Sequence, residues 1–312
     1  MTTSIVLGAN GQDGSYLCEL LAASGQNVIA LGRQANYSWP RPDGEFCYEQ
    51  VDLCEPAALR TVLSAQKPEH IYHVAAVHGE SGFRYEEVVG ELFAVSVIAT
   101  HVCLEYLRQF DGGRLYYASS AKVFGDAPQG QIAESTAKRA DCLYATAKIA
   151  AGHLIDCYRR DHAVQAIVAY LFNHESPRRE PAYFVPKIAG ALANGLAGSG
   201  DPVTVNSLDF FADWGSAEEY MQLAIQAMDS GLDGDFVVAT GQTLWAAAAV
   251  EAAFRAHELD YKQWLHVPSA GVAPESVPFV ADASKLTNAL GRQPQKRISD
   301  LLEELARSIR ES

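Results

Sequence analysis

Tyr144 and Lys148 stand four residues apart in a stretch with helical periodicity, so their side chains share one face. A phenol exchanges protons near neutral pH only when a neighbouring cation stabilises its anion. A lysine at this spacing is expected to lower the Tyr144 pKa and also to hold a ribose hydroxyl. Such pairs are common in unrelated helices. Upstream, Ser119-Ser120 close a short strand-forming run, which sets the Ser120 hydroxyl to bind the same substrate oxygen as Tyr144. Together the three read as a proton-exchange group for a carbinol or carbonyl oxygen, with Ser120 polarising that oxygen and Lys148 tuning Tyr144.

A second constellation opens the chain. Gly8-Ala9-Asn10-Gly11-Gln12-Asp13-Gly14 follows the apolar run Ser4-Ile-Val-Leu and leads into a helical pattern. Gly8 suits the tight turn, Gly11 the close approach of backbone to a pyrophosphate, and Gly14 the packing of helix on strand, with the phosphates at the helix N-terminus. This predicts a nicotinamide dinucleotide site. After the second strand an acid would bind a ribose 2′-hydroxyl, whereas Gly32-Arg33 stands there, which suits a 2′-phosphate; NADP is therefore expected over NAD. A solvated surface arginine is the other reading of Arg33.

Positioning these groups requires a sheet. Strand-forming runs over 4–7, 27–31, 46–51, 70–74, 114–118 and 164–170 alternate with longer helical ones, the mark of a parallel sheet with crossover helices on both faces. Beyond Phe172 the pattern loosens into helices near 184–196, 216–229 and 244–257 with short strands between, and a last helix over 299–309 capped by Ser299-Asp300. The expected fold is α/β: a Rossmann-type doubly wound parallel sheet over residues 1–172, with a smaller C-terminal α/β substrate lobe over 173–312 and interleaved boundaries.

The chain of 312 residues has 24 basic against 38 acidic residues, a field that repels nucleic acid and anionic lipid; neither is an expected partner. No run of about 18 consecutive apolar residues appears, and Met1 leads directly into a strand with no basic or apolar leader, so a cytoplasmic protein is expected. The six cysteines, at 18, 47, 54, 103, 142 and 157, lack ligand-like spacing and read as reduced thiols, with no metal site.

The chain resembles the extended short-chain dehydrogenases/reductases, and most closely the GDP-mannose 4,6-dehydratases. The residues that carry the resemblance are Gly-Gln-Asp-Gly-Ser-Tyr-Leu at 11–17, Leu-Phe-Asn-His-Glu-Ser-Pro-Arg-Arg at 171–179, Asp213-Trp214-Gly215 and Asp282-Ala-Ser-Lys285. It spans the whole chain. The resemblance implies a two-lobed fold, a bound nicotinamide dinucleotide, a sugar or nucleotide-sugar substrate oxidised at C4, and a homodimer or homotetramer. By the same resemblance Gln12 and Asp13 line the pyrophosphate, Asp52 and Leu53 flank adenine, Ala75 and Ala76 meet the adenosine ribose, and Leu171, Asn173 and His174 lie beside the nicotinamide or substrate. Arg178, Arg179 and Lys187 are expected to face the substrate.

Departures from that family pattern bear on the reaction. The family places a Glu, the base at C5, two positions after the strand-end Ser/Thr; here Lys122 follows Ser120. Three cations expected on the nucleotide diphosphate are replaced by Ala212, Pro186 and Ala273, which leaves Arg178 and Arg179 as the convergent cations. The segment Val77-His78-Gly79-Glu80-Ser81-Gly82-Phe83-Arg84 also departs. His78 is expected at the substrate, and Arg84 is either a relocated anion contact or a surface arginine. Lys122 either meets an anion, pairs with Glu80 or Glu175, or points to solvent; His174 is an acid or an orienting partner; Glu175 is a candidate displaced base. The reading is an NADP(H)-dependent oxidoreductase of a sugar or nucleotide-sugar hydroxyl or keto group, with the net result a carbonyl reduction, an alcohol oxidation or an epimerisation. A 4,6-dehydratase using Lys122 or Glu175, and a non-catalytic NADP-sensing protein, are the alternatives.

Overall fold

The computed structural model describes residues 1–79, 82–110, 112–268 and 277–311. Glu80, Ser81 and Ala273 lie outside the described residues. Fourteen strands are present among the rest: β1 (Thr3–Leu7), β2 (Asn27–Gly32), β3 (Phe46–Gln50), β4 (His70–His73), β5 (Arg114–Ser120), β6 (Gly130–Ile132), β7 (Gln165–Leu171), β8 (Asn173–Glu175), β9 (Val203–Thr204), β10 (Phe211–Ser216), β11 (Gly234–Val238), β12 (Thr243–Trp245), β13 (Leu265–His266) and β14 (Phe279–Ala281). The helices are α1 (Gln12–Ala23), α2 (Pro56–Gln66), α3 (Val89–Phe93), α4 (Ala99–Gln109), α5 (Leu143–His162), α6 (Phe184–Ala197), α7 (Ala217–Asp229), α8 (Ala246–Arg255), α9 (Ser284–Leu290) and α10 (Ile298–Glu311).

Seven parallel strands form the central sheet in the order β11-β7-β5-β4-β1-β2-β3. Alternate strand residues point to opposite faces. Ile5, Leu7, Ile29, Leu31, Leu115, Tyr117 and Val168 therefore pack under α2, α4 and α5, while Val6, Val28, Ala30, Tyr116, Ile167 and Phe236 pack under α1 and α7. The six strands expected from sequence are all present. The seventh, β11, returns from beyond Phe172, so the C-terminal half contributes both a strand and α7 to the sheet.

A separate apolar cluster joins α6, α8, α10 and β10 through Val185, Ile188, Leu192, Trp214, Val250, Phe254, Leu302 and Leu305. Two helix starts differ from expectation. Leu244 and Trp245 pair with β10 as a strand, and α8 begins at Ala246. In α10 the cap is not Ser299; the Asp300 carboxylate reaches back to accept from the Arg297 backbone N–H at 2.8 Å.

The helical stretch 85–109 is long and apolar enough to cross a membrane by composition, unlike the sequence expectation, which counted only consecutive apolar residues. Many of its apolar positions are packed: Leu92 meets Tyr144 and Ala147, and Val95, Ala99, Val102, Cys103, Leu104 and Leu107 join the core under the sheet, while Val89 and Ile98 are exposed.

Candidate active site

The carboxyl ends of the parallel strands converge where β1 and β4 lie side by side, the point at which the strand order reverses. Gly8 has φ +93°, and a Cβ there would lie 2.7 Å from Ala75 Cα; a Cβ on Gly14 would lie 2.2 Å from the Gly8 carbonyl oxygen. Both glycines are thus required by packing. Gly11 differs: only the Gly8 oxygen comes near, and it caps α1 without a side-chain hydrogen bond, leaving the helix N-terminus open to an anion. Asp52, Leu53, Ala75 and Ala76 follow the ends of β3 and β4, and Arg33 is exposed just past β2. These residues fit a dinucleotide.

Asn10 organises the segment beyond β2. Its amide donates to Tyr48 Oη, Gln34 Oε1 and the Asn36 carbonyl, while its oxygens accept from the Ser38 backbone N–H and Trp39 Nε1. Its role was missed from sequence, where the only signal was its place inside the glycine turn.

The helix α1 is tied to the 173–179 segment by polar pairs. His174 Nδ1 faces the Phe172 carbonyl at 2.7 Å and Nε2 faces the Asp13 carboxylate at 3.0 Å. Both partners are acceptors, so both ring nitrogens must donate and the ring is an imidazolium. Burial opposes the charge, but Asp13 outweighs it and raises the His174 pKa; burial likewise opposes ionisation of Asp13, and His174, Arg179 and Gln12 outweigh it and lower its pKa. His174 is therefore the orienting partner rather than an acid aimed at substrate. Gln12 extends the tie, donating to the His174 carbonyl and accepting from Ser176 Oγ.

Lys148, 1% exposed, donates to the Ala118 carbonyl at 2.7 Å and sits 5.7 Å from the Tyr144 ring centre. Burial pushes its pKa down to about 7. Tyr144 is also buried, and its pKa is raised rather than lowered; the opposing influences are a hydrogen bond with Ser120 and the charge of Arg179. The expectation that Lys148 lowers the Tyr144 pKa thus fails in this state, because the ammonium is directed at a carbonyl and desolvation of the phenol dominates. Ser120 and Tyr144 are nonetheless brought together as expected.

Beneath them, residues 94–98 form a π turn whose displaced carbonyls are met by His73 Nε2 at Val95 O and by Tyr117 Oη at Ser96 O, with Lys148 over the Tyr117 ring at 4.7 Å. No motif in the sequence signals this support.

A family model of GDP-mannose 4,6 dehydratase matches residues 5–305. The chain belongs to the GDP-mannose 4,6-dehydratase family. It is 29% identical to a GDP-mannose 4,6-dehydratase of Vibrio cholerae over 76% of this chain and 67% of that one, and 29% identical to GDP-mannose 4,6 dehydratase 2 of Arabidopsis thaliana over 94% and 82%. Among solved structures, a dTDP-glucose 4,6-dehydratase of Bacillus anthracis in complex with NAD aligns with TM-score 0.82 at 16% identity, covering 100% of this chain and 97% of that one. RMD from Pseudomonas aeruginosa complexed with NADPH aligns with TM-score 0.79 at 19% identity, covering 100% and 99%. These matches make the fold that of the extended short-chain dehydrogenases/reductases and the protein an enzyme of that group.

Against the family pattern the substrate side is altered. Lys122 pairs with Asp126 at 2.8 Å with about half of its side chain exposed, and not with Glu175. Arg84 pairs with Glu87 on the surface, 74% exposed, so it is the surface arginine and not a relocated anion contact. Arg178 is not a free substrate cation either: it hydrogen-bonds Ser15 and Glu19 of α1 and lies 3.9 Å over the Tyr16 ring. Ala212 and Pro186 are buried, Ala212 within the C-terminal cluster. Lys187 is half-buried on α6, and Asn173 is exposed at the start of β8, just past Leu171.

Two groups remain at the Tyr144 side. His78 pairs with Tyr85 Oη and meets the Tyr144 ring in a tilted contact at 4.7 Å; burial of its ring, then the charges of Arg179, Lys122 and Lys148, push its pKa down to about 4. Glu175 is 6% exposed and burial raises its pKa, against the charges of Arg179 and His174.

Proposed function

We propose that the protein is an NADP(H)-dependent oxidoreductase that acts on a hydroxyl or keto group of a sugar or nucleotide sugar without completing an elimination. The observation that carries this reading is position 122. Elimination after oxidation needs a base at the neighbouring carbon, and position 122 carries no carboxylate but a lysine, exposed and ion-paired to Asp126 at 2.8 Å.

The chain's own residues supply the rest of the chemistry. Tyr144 exchanges the proton of the substrate oxygen, and Ser120, whose hydroxyl favours the ionised form of Tyr144, orients that oxygen. As Tyr144 gives its proton to the substrate oxygen, the developing phenolate is stabilised by the positive charge of protonated Lys148, 5.7 Å from the Tyr144 ring centre. A nicotinamide dinucleotide, when bound, accepts or donates the hydride at the same carbon. Gly8, Gly11, Gln12, Asp13 and Gly14 would hold its phosphates. Arg33 supports the NADP preference: its guanidinium is exposed at the end of β2 and makes no hydrogen bond or ion pair among the described residues. A cytoplasmic homodimer or homotetramer goes with this reading, on the strength of the family and of six unpaired cysteines.

A second reading rests on Glu175. Its carboxyl is buried, its pKa is raised and Oε2 has no hydrogen bond, the properties of a displaced base in a 4,6-dehydratase. The two readings separate in one incubation with candidate nucleotide sugars and NADP(H). Cofactor turnover with a product two hydrogens heavier or lighter supports the oxidoreductase, and release of a product lacking the elements of water supports the dehydratase.

A further inference from the structure

Lys148 has no carboxylate to hold its charge. Among the described residues its ammonium makes one hydrogen bond, to the Ala118 carbonyl at 2.7 Å, and no ion pair. A buried ammonium with so few polar partners is costly unless something else meets it.

What meets it is a ring. Tyr117 is fully buried on β5, one residue before Ala118, and Lys148 Nζ lies 4.7 Å from its ring centre, nearer than the 5.7 Å to Tyr144. The negative face of an aromatic ring attracts a desolvated cation within about 6 Å of its centre. The Ala118 carbonyl thus sets the direction of the ammonium, and the Tyr117 face covers it.

The ring is itself fixed by two other elements. Tyr117 Oη reaches the Ser96 carbonyl of the π turn at 3.4 Å, and His73 of β4 stands edge-on to the ring at 5.3 Å and 83°. Burial keeps the Tyr117 hydroxyl protonated and pushes the His73 pKa down to about 3, so neither brings a charge to Lys148. The other titratable groups that face Lys148 are Tyr144 on its own helix, His78 beyond β4, pushed down to about 4, and Asp13 of α1, which favours the ammonium but is held by His174.

We infer that Tyr117 is a positioning residue for the proton exchange at Tyr144: its ring face seats the Lys148 ammonium and keeps it charged with no carboxylate to neutralise it. A carboxylate in that seat would pair with the ammonium and screen it from a phenolate forming on Tyr144. The ring attracts the cation and leaves its charge uncancelled. This rests on the proposed function only for the role of Lys148 beside Tyr144, and it is the same for a redox change or an elimination.

The test reads Lys148 itself, with no substrate present. The 13Cε signals of the lysines are followed against pH by NMR in the protein before cofactor is added, and the Lys148 signal is the one lost in Lys148→Met. Its midpoint in the unmutated protein is expected at about 7. Tyr117→Phe keeps the ring face and should leave that midpoint in place. Tyr117→Leu should lower it by about one pH unit, roughly what one ring contact contributes to a desolvated cation. Phenylalanines carrying one, two and three fluorines at position 117 keep the shape while withdrawing electrons from the ring face, and should lower the midpoint stepwise; this series decides the matter even where Tyr117→Leu fails to fold. A midpoint that stays put through the fluorinated series, or that falls as far in Tyr117→Phe as in Tyr117→Leu, overturns the inference. Release of a dehydrated sugar by the unmutated protein would contradict the oxidoreductase reading and leave this one standing.

Discussion

Across the cleft from one another, the 173–179 segment and the 78–85 segment are held by different forces. The first is fixed by polar pairs to α1: His174 to Asp13, Gln12 to Ser176, Arg178 to Ser15 and Glu19. Among its described residues the second meets the site through ring surfaces, with His78 hydrogen-bonded to Tyr85. Polar pairs specify distance and direction, so one changed partner is felt at once. Ring-on-ring contacts fix a surface and leave its orientation adjustable. The cofactor side is therefore built for one geometry, while the substrate side is where a new ligand can be accommodated with the same Tyr144.

Four substitutions break or sharpen that contrast. Tyr144→Phe removes the group both sides share and should slow turnover by about 10² to 10⁴ while the cofactor dissociation constant changes little; steady-state rates with the eventual substrate beside cofactor titration check it.

Asp13→Ala strands an imidazolium on the polar side and should cost about 3–5 kcal/mol in urea unfolding. Its pH dependence has a definite form. The His174 pKa is raised, so the pair's stabilisation is full below the ordinary histidine value and is lost as pH rises through the raised one. The Asp13 pKa is lowered, so the stabilisation is present above 3.8 and is lost as pH falls through the lowered one. The gap between wild type and Asp13→Ala should be widest near pH 5 and narrow toward both extremes.

Arg33→Ala should lose about tenfold in NADP affinity and leave NAD unchanged, by calorimetry with the two cofactors. Arg84→Ala, on the ring side but paired only with Glu87 at the surface, should stay within about 0.5 kcal/mol of wild type in stability and bind substrate normally. A large effect there would mean that the 78–85 segment is held by charge after all.

The sequence reading followed the same division. Gly8, Gly14 and the Ser120, Tyr144 and Lys148 group were legible because turn geometry and helical spacing are local, and the first six strands because alternation marks them. The seventh strand, β11, was not legible as part of this sheet, since nothing local says which edge a short strand joins. The fate of Arg178 depended on Glu19, 159 residues away, and the charge of His174 on Asp13, 161 residues away. Nor did any motif announce the rings beside Tyr144, because His78, Tyr85 and Tyr183 meet only after β4, the 85–88 turn and the start of α6 are folded together.

The most direct test of the central claim is mass spectrometry of the product formed by the wild-type protein from sugars and nucleotide sugars with NADP(H). The account predicts a change of two hydrogens matched one for one by cofactor oxidation or reduction, with no loss of water; a dehydrated 4-keto-6-deoxy product from the unmutated protein would contradict it.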